Sequence, residues 1–157
     1  MNNQQDKNVF ISGSKKISIL YPKVINRLNS LIKENANIFI GDCYGIDSLV
    51  QAYLYSLKYK NVTIVCSGIE PRCKMLDQSW KVICLNYDNN INNFYAFKDR
   101  YMTELCDFGI CIWNGKSKAS KNNIERLLLN NKIVEVYINN NLKIYKNIIE
   151  FRGDYKL

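Results

Sequence analysis

A chain of 157 residues is about one domain long, with enough surface to bury a single proper core. Its 47% hydrophobic and 23% charged residues are ordinary for a globular protein, and no apolar run approaches the roughly 20 residues of a bilayer-crossing helix, so no membrane partner is expected. The net charge of +8 points to anions, while the absence of histidine removes Ser-His and Cys-His nucleophile pairs, imidazole proton shuttles and the usual zinc sites.

Residues 1–7 are polar and carry no signal-peptide run, so they read as a disordered lead-in to one domain over 8–157, in a cytoplasmic protein. Asn8-Val9-Phe10-Ile11 is a short strand that turns at Ser12-Gly13-Ser14. Pro22 then opens a helix to about Asn35, with Val24, Ile25, Leu28, Leu31 and Ile32 at three- and four-residue spacing. Ile38-Phe39-Ile40 is a second strand, and the turn after it leads into a second helix through Leu57. Asn61 to Val65 is strand three, Cys66 to Ser79 a loop and Trp80 to Leu85 strand four. A third helix is predicted over Asn92 to Cys106, then strand five over Phe108 to Trp113. A helix to about Asn130, strand six from Ile133 to Ile138 and a hairpin at 139–141 complete the pattern, with Leu142 to Lys146 as an antiparallel edge strand. Strands alternating with helices make this a Rossmann-like three-layer α/β fold with a mainly parallel sheet and a C-terminal antiparallel edge hairpin.

Cys43, Cys66, Cys73, Cys84, Cys106 and Cys111 show no CxxC spacing, and four lie in or beside apolar runs, so free thiols are expected rather than disulfides or a metal site. The basic residues are spread as single Lys or KK pairs in a composition rich in Lys, Asn, Ile and Tyr. That dispersal argues against a nucleic-acid partner without excluding one, and favours small anions such as phosphates.

In open parallel sheets, ligands bind beyond the carboxyl ends of the strands. Three such loops are rich in small residues, hydroxyls and backbone amides: Ser12-Gly13-Ser14, Gly41-Asp42-Cys43-Tyr44-Gly45-Ile46-Asp47, and Asn114-Gly115-Lys116-Ser117-Lys118-Ala119-Ser120. Placed at helix N-termini, they have the chemistry of a phosphate cradle, although a glycine at a strand end also serves a plain turn, and Ser117 or Ser120 an N-cap. Asp42 and Asp47 repel phosphate but suit ribose hydroxyls, and Asp47 in a first helical turn also complements the helix dipole.

Together with Phe10-Ile11 and Ile112-Trp113, these loops resemble the three signatures of the SLOG superfamily over residues 8–138. That group includes the LOG phosphoribohydrolases, the DNA-processing protein A family and small stand-alone bacterial and phage proteins. In the small members the third signature reads roughly W-D-G-K-S-x-G-T; Asn114, Ala119 and Ser120 depart from it. The resemblance implies a nucleotide-derived ligand such as a nucleoside phosphate, an ADP-ribose-like molecule or a cyclic NAD-derived signal, with no separate cofactor. It also admits a homodimer.

On this reading Gly13, Ser14, Gly115, Lys116, Ser117 and Ser120 meet phosphate, Asp42, Asp47 and Asn123 meet ribose or base, and Ser12 and Asn114 belong to the same ligand site; Gly41 and Gly45 shape the second turn, where Tyr44 either stacks on a base or ribose or stands only at the rim. The leading expectation is a sensor or sequestering protein for such a ligand. A second is cleavage or transfer at an N-glycosidic bond, for which the resemblance implies a glutamate three residues beyond the loop's threonine. Asn123 stands there and cannot act as nucleophile or base, and Glu125 lies about 200° around the helix, so the acid would be Asp99 or Asp47. Asp99 within Lys98-Asp99-Arg100 also reads as a solvated ion pair. The third expectation, single-stranded DNA binding, uses the net charge of +8 and requires steep salt dependence.

Overall fold

A computed structural model describes residues 6–72, 76–85 and 96–155. The elements run β1 (Asn8–Gly13), α1 (Pro22–Lys33), β2 (Asn37–Ile40), α2 (Ile46–Ser56), β3 (Val62–Ser67), β4 (Lys81–Leu85), α3 (Ala96–Leu105), β5 (Phe108–Trp113), α4 (Lys118–Leu129), β6 (Ile133–Ile138), β7 (Asn141–Tyr145) and α5 (Ile148–Asp154). The strands form one sheet in the order β4-β3-β2-β1-β5-β6-β7, parallel throughout except for the antiparallel β6–β7 pair. This is the expected α/β architecture with its edge hairpin.

Alternation along the strands divides the core between two faces. Val9 and Ile11 of β1 join Val24, Leu28 and Leu31 of α1 and Ile46, Val50 and Leu54 of α2 in one apolar cluster. Phe10 faces the other way, toward Met102 of α3, Ile124 and Leu127 of α4 and Phe151 of α5. Burial on both faces is why the central strands β1, β3 and β5 read as nearly unbroken apolar runs. Helix α1 begins with Pro at its first turn and hands over to Asn35, whose φ of 57° is a left-handed conformation that asparagine tolerates.

Several boundaries differ from the sequence expectation, for local reasons. Strand β1 continues through Ser12 and Gly13 because both pair with β5, opposite Cys111 and Ile112. Cys66 and Ser67 likewise extend β3, in register with Cys84 and Leu85 of β4. The first loop does not open a helix, since seven residues, 15–21, separate Ser14 from Pro22, so the expected helix N-terminus is missing there. The third helix is described from Ala96, and residues 92–95 of the predicted span lie outside the described residues, as does Cys73. Helix α5 was not predicted at all. Among the described residues, no helix is long and apolar enough to cross a membrane.

Candidate functional site

The strand order reverses at β1: strands β2, β3 and β4 extend to one side and β5 and β6 to the other. The loops that leave β1 and β5 therefore diverge and open a crevice at the carboxyl ends of the strands. A cavity of about 1020 Å³ occupies this crevice.

Ser14 fastens the three signature loops together. Its N–H donates to Ile112 O at 3.0 Å, its carbonyl accepts from Ile46 N at 3.3 Å, and its hydroxyl accepts from Asn114 N at 3.1 Å while lying 3.2 Å from Ser120 Oγ. Ser14 and Ser120 are both buried, so their hydroxyls hold the loops before they can hold a ligand. Gly13 allows this closeness, because a Cβ there would lie 2.5 Å from Ile112 O and 2.6 Å from Ile46 Cβ. Gly45 has a φ of 75° and carries the chain into α2 beside the Lys15 backbone.

The third loop is self-braced. Asn114 Oδ1 accepts the N–H groups of Lys116 and Ser117, both at 2.9 Å, and Ser117 caps α4 by accepting Ser120 N. Those two amides are thus engaged in the turn and do not stand free for an anion. Gly115 has a φ of 77° with open space around it, and the Lys116 side chain reaches the cavity from an exposed position.

The two aspartates of the second loop are buried and differ in their surroundings. Asp42 does not line the cavity; Arg72 grips it with its backbone N–H at 2.8 Å, Nε at 3.2 Å and Nη2 at 3.0 Å. Both carboxylate oxygens are committed to that grip rather than to a ribose. Asp47, in the first turn of α2, borders the cavity and accepts Cys43 N–H at 3.0 Å. Burial pushes its pKa up to about 6 although Lys98 pulls it down. Tyr44 is 67% exposed and stands outside the cavity lining, next to Cys43, which does line it.

Asp99 is paired with Lys98 at 3.0 Å, but this ion pair is no solvated surface contact. Lys98 is buried and lies beside Gly41 and Asp47 at the cavity wall. Its burial lowers the ammonium pKa, yet Asp99, Asp47 and Asp42 outweigh that and leave it above the ordinary value. On α4, Asn123 accepts a 2.6 Å hydrogen bond from Arg126 Nη1, and both residues line the cavity. Glu125 turns away as the helical spacing requires and pairs with Arg152 of α5 at 3.7 Å. Ser12 is also buried at the cavity, and its hydroxyl has no hydrogen-bond partner among the described residues.

What the sequence reading missed is the convergence of charge. Lys15, Lys16, Arg72, Lys98, Lys116 and Arg126 border the cavity, against Asp47 and Asp99 as its only carboxylates among the described residues. These cations come from five separate stretches of chain. The pair Lys15-Lys16 directly after the first signature was the one local signal that could have found them.

No protein-family model matches this chain, and no curated protein matches it. Among solved structures, the fold is similar to DNA processing protein A from Helicobacter pylori, a protein that binds single-stranded DNA, with a TM-score of 0.60 and 20% identity. The match covers 83% of this chain and 64% of that one, so the chain spans less than two thirds of its neighbour's length. This finding corrects the expectation of a nucleotide-derived small molecule as ligand, and of nucleic acid as the poorer partner. The physical reason is that dispersal along the sequence is no measure of dispersal in space: the fold gathers the scattered cations at one crevice.

Proposed function

We propose that this chain is a SLOG-type domain that binds single-stranded DNA across the carboxyl ends of its strands. The observation that carries the reading is the ring of six basic side chains around one crevice. A polyanion lying over the crevice meets several of them at once, with release of its condensed counterions. Likeness of fold to a single-stranded-DNA-binding protein supports the same partner, and so does the net charge of +8. Tyr44, exposed at the rim, offers a flat face on which a base can stack. Arg72 and Lys98 are held in place by Asp42 and Asp99, which makes them fixed positive walls, whereas the exposed Lys15, Lys16 and Lys116 move to follow a flexible backbone.

The test is fluorescence anisotropy with a labelled oligothymidine strand. Affinity should fall steeply between roughly 50 and 200 mM salt, with a logarithmic slope of about −0.7 for each phosphate neutralised. Lys116→Glu should weaken binding by on the order of tenfold, about 1.4 kcal/mol, and flatten that slope. Affinity that is indifferent to salt, or unchanged in Lys116→Glu, would remove the crevice from the binding surface.

A further inference from the structure

Two cysteines of the sheet face each other outside the cavity lining. Cys66 of β3 and Cys84 of β4 are direct register partners on neighbouring parallel strands, and their sulfurs lie 3.3 Å apart. Register partners on adjacent parallel strands project from the same face of a sheet, and strand spacing of about 4.8 Å lies inside the roughly 4.4 to 6.8 Å of Cα separation that a disulfide spans. Both thiols are free, Cys66 buried and Cys84 exposed. Strand β4 is the sheet edge, with a neighbour on one side only, so it can give by the ångström or so that bonding of the two sulfurs requires.

We propose that Cys66 and Cys84 are a reversible thiol–disulfide pair, oxidised by a small-molecule disulfide of the glutathione type. The exposed Cys84 thiolate attacks one sulfur of the oxidant, forming a mixed disulfide and expelling one thiolate. The Cys66 sulfur, deprotonated, then attacks Cys84 Sγ and displaces the second thiolate. The protein dithiol is oxidised to a disulfide, the oxidant is reduced to two thiols, and the two protons pass to the departing thiolates. Burial, together with Cys84, pushes the Cys66 thiol up to about 12, which suits Cys66 to the second, intramolecular step rather than to the first. The bridge would pin the end of edge strand β4 to β3 where the chain enters the segment carrying Arg72, at the crevice end of the sheet.

The reduced chain is incubated with oxidised glutathione, alkylated and digested with trypsin without reduction. Cleavage places Cys66 in the peptide 61–72, Cys73 in 73–74 and Cys84 in 82–98, so mass spectrometry separates every pairing. The expected product is 61–72 linked to 82–98 with the loss of two hydrogens, reversed by dithiothreitol. It should be absent in Cys84→Ser and retained in Cys43→Ser. A glutathione adduct that persists on Cys84 without closing, a bridge that runs through Cys73, or two thiols that stay free would each overturn the proposal. The readout needs no nucleic acid, so it stands apart from the DNA-binding test.

Discussion

At Asp47, burial and charge pull in opposite directions. Desolvation raises its pKa from the ordinary 3.8 to about 6, against the pull of Lys98 and the Cys43 amide. The folded protein therefore keeps a proton that the unfolded chain releases between about pH 4 and pH 6, and stability falls as pH rises through that window. Above it the buried charge costs on the order of 2 to 3 kcal/mol. Asp47→Asn keeps an acceptor for the Cys43 amide and leaves Lys98 its ion pair with Asp99. Thermal unfolding of this variant should give a higher Tm at pH 7.5 and a flatter profile from pH 4 to pH 6; a Tm that drops at every pH would show that Asp47 works chiefly as a partner for Lys98. The sequence places Asp47 in a first helical turn, but it does not show that Lys98, 51 residues later, comes to rest beside it. The same holds for Asp42, whose grip on Arg72 spans 30 positions.

Among the elements, α5 illustrates how a helix escapes a sequence reading. It has seven residues and contains Gly153, which is too short for a convincing apolar period. Packing and a cap hold it: Asn147 accepts Glu150 N–H at 2.8 Å, and the buried Phe151 lies among Trp113, Tyr145 and Tyr155 with ring centroids 5.2 to 6.0 Å away. Phe151→Ala should cost about 3 to 5 kcal/mol by emptying that aromatic cluster. Denaturant titration followed by the fluorescence of Trp80 and Trp113 checks it, and a loss below about 1 kcal/mol would mean that α5 contributes little to the core. The central strands were legible because two-faced burial writes a continuous apolar run, and the longer helices because their apolar positions recur every three or four residues. The added residues of β1 and β3 were not, since Ser12-Gly13 and Cys66-Ser67 look like turns until a neighbouring strand pairs with them.

For the whole molecule, the point at which the strand order reverses decides where charge accumulates. Lys15 follows β1 and Lys116 follows β5, so residues 101 positions apart border the same crevice. If both contact one DNA strand without touching each other, Lys15→Ala and Lys116→Ala should each weaken oligothymidine binding, and their free-energy losses should add in the double variant within about 0.5 kcal/mol. Titrations at one fixed salt concentration measure this. A double variant no weaker than either single variant would show that the two lysines act through one shared contact rather than independently.

Composition, apolar periodicity and the three small-residue turns determined the α/β class, the strand sequence and the end of the sheet on which to look, because each depends on residues within one or two turns of one another. The partners of the buried charges, the serine that locks the loops and the gathering of cations were decided by the tertiary structure. Electrostatic interaction depends on distance in space and on exclusion of water, and neither quantity is set until strands from opposite ends of the chain lie side by side.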